Sequence, residues 1–326
     1  MLTVVMYHYV RETASTSRYG LKARRVHEFD AQLDYIAANF HVCSSADVVA
    51  AAMGKKPLPP RACLLTFDDG LIDHHRIVFP RLSARGWSAA FFPSAMAVER
   101  RQMLDVHKVH FILAVSDDLD ALEGRILRVV AEFRREHDIP EDAELKKRYT
   151  AASRFDAPNV VFIKRLLQHG LPLPVRSEVA DRLFCETVTK DECTFCDEVY
   201  LTIDQLRQMR DAGMEIGGHG ERHVWLEHLS ESDQCGELER TLSFLERVHG
   251  TRPANWMMCY PYGSYNATTL SLLKERGCAV GFTTRVGTNA DLSRPLELAR
   301  LDTNDLPACR VSPRWEQPAP HCADSR

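Results

Sequence analysis

Leu64-Leu65-Thr66-Phe67-Asp68-Asp69-Gly70 is an apolar run that ends abruptly in two adjacent carboxylates and a glycine. A strand buried on both faces reads this way, and its carboxyl end delivers acidic groups to the mouth of a barrel or open parallel sheet. Two neighbouring aspartates at such a rim can divide labour. One ligates a cation, while the other stays ionised beside it and can take a proton from the attacking water. A strand followed by an ordinary Asp-Gly turn has the same local pattern, so the decision rests on what lies downstream.

The downstream partner is Gly217-Gly218-His219-Gly220-Glu221-Arg222-His223, directly after the short run Met214-Glu215-Ile216. The i, i+4 spacing predicts both imidazoles on one side of a helical turn, which suits one divalent ion with room for an oxygen ligand. Three glycines around the pair let the backbone approach a neighbour closely and leave space for a substrate. Asp69, His219 and His223 together make a three-ligand set with open positions, the arrangement of a hydrolytic metal, with zinc as the first expectation. A third stretch, Cys259-Tyr260-Pro261-Tyr262-Gly263, closes the run Trp256-Met257-Met258. Alone it is a Pro-Gly turn flanked by aromatics.

Asp-Asp-Gly, His-x-x-x-His and Tyr-Pro-Tyr-Gly, each after a strand and in this order, resemble the polysaccharide deacetylase family, also called the NodB-homology fold or carbohydrate esterase family 4. The resemblance covers most of residues 1–305 apart from a long central segment. It implies a distorted (β/α)7-8 barrel and a metal-dependent hydrolase that removes an N-acyl group, acetyl or formyl, from an amino sugar. It also implies Asp68 as the base and the backbone N–H of Tyr262 as an oxyanion donor. Relatives that act on poly-N-acetylglucosamine carry a histidine in an early Tyr-His motif, which makes His8, at the end of the predicted strand Leu2–Val10, the expected general acid. The arginine that many relatives place just before the Pro-Tyr motif, paired with the base, is absent here, where Met257, Met258 and Cys259 stand. Arg300 on the last strand is the expected replacement, with Arg285 the alternative.

Around these motifs strand and helix alternate, as in an α/β barrel. Phe29, Leu33 and Ile36 mark one helix, residues 46–53 a second, and residues 88–93 a strand. Thr202 is placed to cap a helix through Leu206 and Met209. Leu238, Leu242, Leu245 and Val248 mark another helix, and residues 279–283 and 296–301 complete seven or eight strands. From about 98 to 200 the pattern is helical without strands, with Leu119, Leu122, Ile126, Val129, Val130 and Phe133 on one amphipathic face. The expected organisation is a deacetylase barrel over residues 1–306, interrupted by this insertion, with a loose tail at 307–326. The insertion exceeds an ordinary βα loop and follows a barrel strand, so it is expected to cover the carboxyl-terminal face and shape the substrate pocket. His107 and His110 near its start either border the site or are ordinary helix histidines.

With 45% hydrophobic and 26% charged residues the chain is ordinary for a soluble globular protein. A net charge of -4 without a basic block makes nucleic acid and anionic membranes poor partners. No run of about 18 apolar residues predicts membrane insertion, and the first strand begins at Leu2, an expectation of cytoplasmic location. Ten cysteines scattered through the elements suit reduced thiols. Cys185, Cys193 and Cys196 cluster, and plain thiols are favoured over a structural metal. The expected substrate is accordingly an intracellular precursor, a nucleotide-linked, lipid-linked or free N-acylated sugar in surface-glycan assembly. The fold also hosts amidases acting on non-sugar C–N bonds, and an inactive sugar-binding protein is a third reading. The joint presence of base and ligands favours the enzyme. Oligomeric state is left open.

Overall fold

β3 (Ala62–Asp69) is buried at all its positions in the computed structural model, which accounts for its mostly apolar sequence up to the two aspartates. The structure describes residues 1–12, 21–153 and 156–308, so the tail expected from residue 307 lies, from 309 onward, outside the described residues. The described chain forms two compact units, one of residues 1–12, 22–101 and 197–308 and the other of Leu21 with residues 102–196. The first unit opens with β1 (Leu2–Tyr7), α1 (Val26–Asn39), β2 (His41–Val42), α2 (Ser45–Ala52), β3, α3 (Phe79–Ala84), β4 (Ala90–Pro93) and α4 (Ala95–Glu99).

Helices alone make up the described part of the second unit: α5 (Asp105–Val115), α6 (Leu119–Glu132), α7 (Asp142–Tyr149), α8 (Pro158–Arg165), α9 (Leu173–Thr187) and the start of α10 (Glu192–Val199). Its core is mostly aliphatic around a few phenylalanines. Phe195 meets Phe111 and Phe184 edge-on at centroid distances of 4.8 and 5.4 Å. Lys108, buried on α5, is paired with Asp181 and Glu192, as a buried ammonium requires. His107 and His110 both lie on α5, the first buried and the second partly exposed.

Back in the first unit come α11 (Ile203–Asp211), β5 (Glu215–Ile216), α12 (Glu231–His249), β6 (Trp256–Cys259), α13 (Ala267–Glu275), β7 (Cys278–Val286) and β8 (Leu298–Asp302). Thr202 caps α11 in a reciprocal box with Gln205, as its sequence predicts. The strands are parallel in the order β5-β4-β3-β1-β8-β7-β6, with β2 beside β3. The two-residue β2 is too short to show a period and was not anticipated. Past β5, Gly218 N–H donates to Met257 O and Cys259 N–H to Gly218 O, both at 2.9 Å, so the two ends of the sheet meet and nearly close a barrel. A Cβ on Gly217 would lie 2.7 Å from that Met257 oxygen, which is why the closure needs glycine.

Period-two alternation sorts the strands' side chains. Val5, Tyr7, Leu65, Phe67 and Phe91 pack with Phe29, Leu33 and Ile36 of α1 on the helix-covered face. Val4, Leu64, Phe92, Met257, Val280, Phe282 and Leu298 fill the other face. Thr66, Asp68 and Arg300 continue that inner row toward the carboxyl ends. Gly70, which follows Asp69, has φ 71°, and a Cβ there would sit 2.7 Å from Pro93 Cβ. Gly70→Ala is therefore expected to destabilise the fold by about 1–3 kcal/mol, read as a lower denaturant midpoint.

Candidate metal and catalytic centre

Adjacent strand residues ordinarily point to opposite faces, yet Asp68 and Asp69 serve one region. Asp69 leaves the strand at φ 76°, a left-handed conformation that redirects its side chain. Its Oδ1 lies 3.2 Å from His219 Nε2 and 3.4 Å from His223 Nε2. All three residues are buried, and one ligand atom from each falls within 4.8 Å of the others.

The two histidines do not share a helical turn, contrary to what their spacing predicts. Residues 219–223 form an irregular loop with Gly220 at φ 73° and His223 at φ 54°. Left-handed residues at these points fold the loop back on itself and bring the imidazoles together without helical periodicity; the rings lie edge to face at 4.8 Å. His219 Nδ1 faces the Cys259 carbonyl at 2.8 Å. That contact places the Nδ1 proton toward the carbonyl and turns Nε2 toward Asp69, the orienting role of an outer partner. Burial lowers the His219 pKa, but Cys259 beside it and the Asp69 and Asp68 carboxylates more than offset this and hold it well above the usual imidazole range.

Asp68 stands outside that ligand group. Burial pushes its pKa up, but Arg300, with His8 and His219, more than offsets this and keeps it below the ordinary carboxylate value. Arg300, 2% exposed, reaches Asp68 Oδ1 at 2.9 Å and Oδ2 at 2.8 Å through Nη1, and its Nε donates to Thr283 O. β8 lies beside β1, which pairs with β3, so a cation from the last strand reaches the base across one intervening strand. Arg285 is exposed and donates to Glu297 O instead. A contact missed in the sequence is Cys259, whose Sγ–H donates to Asp68 Oδ2 at 3.4 Å. The signal was its place at the end of β6, where relatives carry the arginine.

His8 follows β1 with Nε2 3.8 Å from Asp68 Oδ2 and a side chain 40% exposed, accessible to a substrate. The buried His74, whose pKa burial brings down to about 4, donates from neutral Nε2 to the His8 carbonyl at 3.0 Å and fixes the strand end. Tyr262 sits at φ 58° with its ring edge-on to His223 at 4.6 Å and stacked on Trp225 at 5.0 Å. The structure thus gathers Asp68, Asp69, His219, His223 and Arg300 with His8 beside them, and Tyr262 against His223. Among the described residues, Cys185, Cys193 and Cys196 form no group that could hold an ion.

A sequence model of the polysaccharide deacetylase family matches residues 186–281, the stretch with both histidines and the Tyr-Pro-Tyr-Gly turn. That stretch matches a polysaccharide deacetylase domain. Ninety residues, 27% of the chain, are 33% identical to poly-beta-1,6-N-acetyl-D-glucosamine N-deacetylase of Escherichia coli (strain K12), and the match spans 13% of that protein. The fold likeness is wider. A Streptococcus pyogenes deacetylase, PplD, in complex with acetate, superposes with TM-score 0.56 at 17% identity over 92% of this chain and 91% of that one. IcaB from Ammonifex degensii gives TM-score 0.56 at 18% identity over 92% and 90%. The chain therefore has the nearly closed NodB-type parallel barrel that its motifs imply.

The donor chemistry of Asp69, His219 and His223 fits a divalent ion. Two imidazole nitrogens and one carboxylate oxygen converge, one imidazole is oriented by a carbonyl, and a second carboxylate, Asp68, stands beside them, itself close to His219 and Cys259. Two nitrogens and an oxygen suit zinc among the common divalent ions.

Proposed function

We propose that the protein hydrolyses the N-acyl group, acetyl or formyl, of an amino sugar, with one divalent ion held by Asp69, His219 and His223. The observation that carries this reading is a buried carboxylate, Asp68, kept ionised by Arg300 beside a separate three-ligand group. When bound, the ion would supply Lewis-acid polarisation of the acyl carbonyl and a more acidic water. Asp68 accepts the proton of the attacking water, and Arg300 holds the carboxylate in place. The backbone N–H of Tyr262 donates to the developing oxyanion. His8 gives a proton to the nitrogen as the C–N bond breaks, releasing the free amino sugar and a short carboxylic acid.

The name of the matched Escherichia coli protein supports an N-acetylglucosamine unit as the first substrate class. The eight described cysteines carry thiols, which suits a reducing compartment. A cytoplasmic precursor of a surface glycan, nucleotide-linked or lipid-linked, is accordingly favoured over a finished polymer. The test is mass spectrometry of β-1,6-linked N-acetylglucosamine oligomers and of nucleotide-linked and lipid-linked N-acetyl sugars after incubation with zinc-loaded protein. Acetate release that stops on chelation is expected. Turnover of simple non-sugar amides alone would favour an amidase, and no hydrolysis by fully loaded protein would favour a binding protein.

His8→Ala is expected to leave zinc affinity unchanged and to lower kcat on an N-acetyl sugar by roughly 10²–10⁴-fold. The loss should be much smaller on an acetate ester with a good leaving group, which needs no proton. Equal losses on both substrates would remove His8 from the protonation step.

A further inference from the structure

The loop between the two metal-ligand histidines is clamped from both sides. On one side the carbonyls of His219, Gly220 and Glu221 accept from Ser94 Oγ at 3.2 Å, Ala95 N–H at 3.2 Å and Met96 N–H at 3.0 Å, all at the start of α4. On the other side the Glu237 carboxylate, on α12 and fully buried, receives the N–H groups of Glu221 at 2.9 Å and Arg222 at 3.1 Å on one oxygen. Its second oxygen takes Arg222 Nε at 2.6 Å and lies 3.7 Å from Arg240 Nη2. Glu221 points the other way, paired with Arg100 and Arg240.

A carboxylate with no exposure is costly unless it is paired and hydrogen-bonded. Glu237 spends that burial on two consecutive backbone donors in a loop whose Gly220 and His223 occupy left-handed conformations. Such conformations persist only where the surroundings over-determine them. Nothing else in the helix pattern of α12 calls for an acid at this point, since Leu238, Leu242 and Leu245 supply its apolar face.

We propose that Glu237 is a positioning residue that holds the His219–His223 loop in its ligand-ready form before any ion arrives. The proposal rests on the reading that these histidines bind a divalent ion. It adds that the affinity comes partly from a carboxylate that never touches the ion, as partners behind metal ligands do elsewhere.

The test is zinc affinity by competition with a chromophoric chelator, for native protein and Glu237→Gln, together with the melting temperature of each without metal. An amide keeps one acceptor oxygen but turns an NH2 group toward donors, so the clamp weakens while shape is retained. Folded E237Q is expected to bind zinc about 10–100-fold more weakly. Affinity within threefold of native would overturn the proposal. Should the variant not fold, amide hydrogen exchange on metal-free native protein decides: Glu221 and Arg222 amides are expected to be strongly protected, and exchange as fast as exposed-loop amides would also overturn it. Neither arm uses a sugar, so failure of the hydrolytic reading appears separately, as zinc-loaded native protein without turnover.

Discussion

Asp68→Asn is expected to lower kcat on the acetylated sugar by roughly 10²–10⁴-fold while zinc content stays at the native level. An amide preserves the shape that Arg300 and Cys259 grip but cannot take a proton, so the chemical step suffers and the ligand group of Asp69, His219 and His223 does not. A second consequence follows from burial. Arg300 is 2% exposed and loses its counter-ion, and breaking such a pair costs about 3–5 kcal/mol, so the variant should melt well below native and must be assayed where it is folded. In native protein the sign is set by the lowered pKa of Asp68. The pair's stabilisation is present above the ordinary carboxylate pKa and is lost as pH falls through the lowered value, so the base stays ionised at neutral and mildly acidic pH. Hydrolysis by folded Asp68→Asn within tenfold of native would take the role of base from this residue.

The second large effect is at His223. His223→Ala is expected to lose both metal and turnover, because it removes one of two nitrogens facing Asp69 Oδ1. Replacing a partner behind a ligand typically costs 10–100-fold in affinity, and loss of a ligand itself should exceed that. Alanine takes the same left-handed backbone that His223 already holds, so the loss reads the missing nitrogen and not new backbone strain. Metal analysis after dialysis against a defined free-zinc buffer, beside initial rates, reads both losses. Native zinc retention with lost activity would mean that His223 acts on the substrate and not on the ion.

Several parts of this arrangement were legible in the sequence, each for a physical reason. β3 could be read because a strand buried on both faces is apolar almost throughout, here but for Thr66, until its rim. The helices α1, α11 and α12 could be read from apolar spacing, and Thr202 from its cap. Tertiary placement was not legible in the same way. The spacing of His219 and His223 suggested a helical turn, whereas a loop with Gly220 and His223 at positive φ does the same work; two residues carry too little periodicity to tell these apart. Arg300 could be named only as a substitute for a missing arginine, since its reach to Asp68 depends on β8 lying beside β1. Cys259 read as the end of an apolar strand, and Glu237 drew no reading of its own beside the leucines of its helix. What each contacts is fixed by barrel closure at Gly218 and by the loop packed on α12, neither of which is written locally.

X-ray absorption at the zinc edge of the zinc-loaded protein tests directly whether one ion sits among Asp69, His219 and His223 next to an unligated Asp68. One zinc per chain is expected, with two imidazole nitrogens and only nitrogen and oxygen neighbours at about 2.0–2.2 Å. A sulfur neighbour at about 2.3 Å would place the ion instead on the other close group, Asp68, His219 and Cys259, leaving no carboxylate to act as base and contradicting the account.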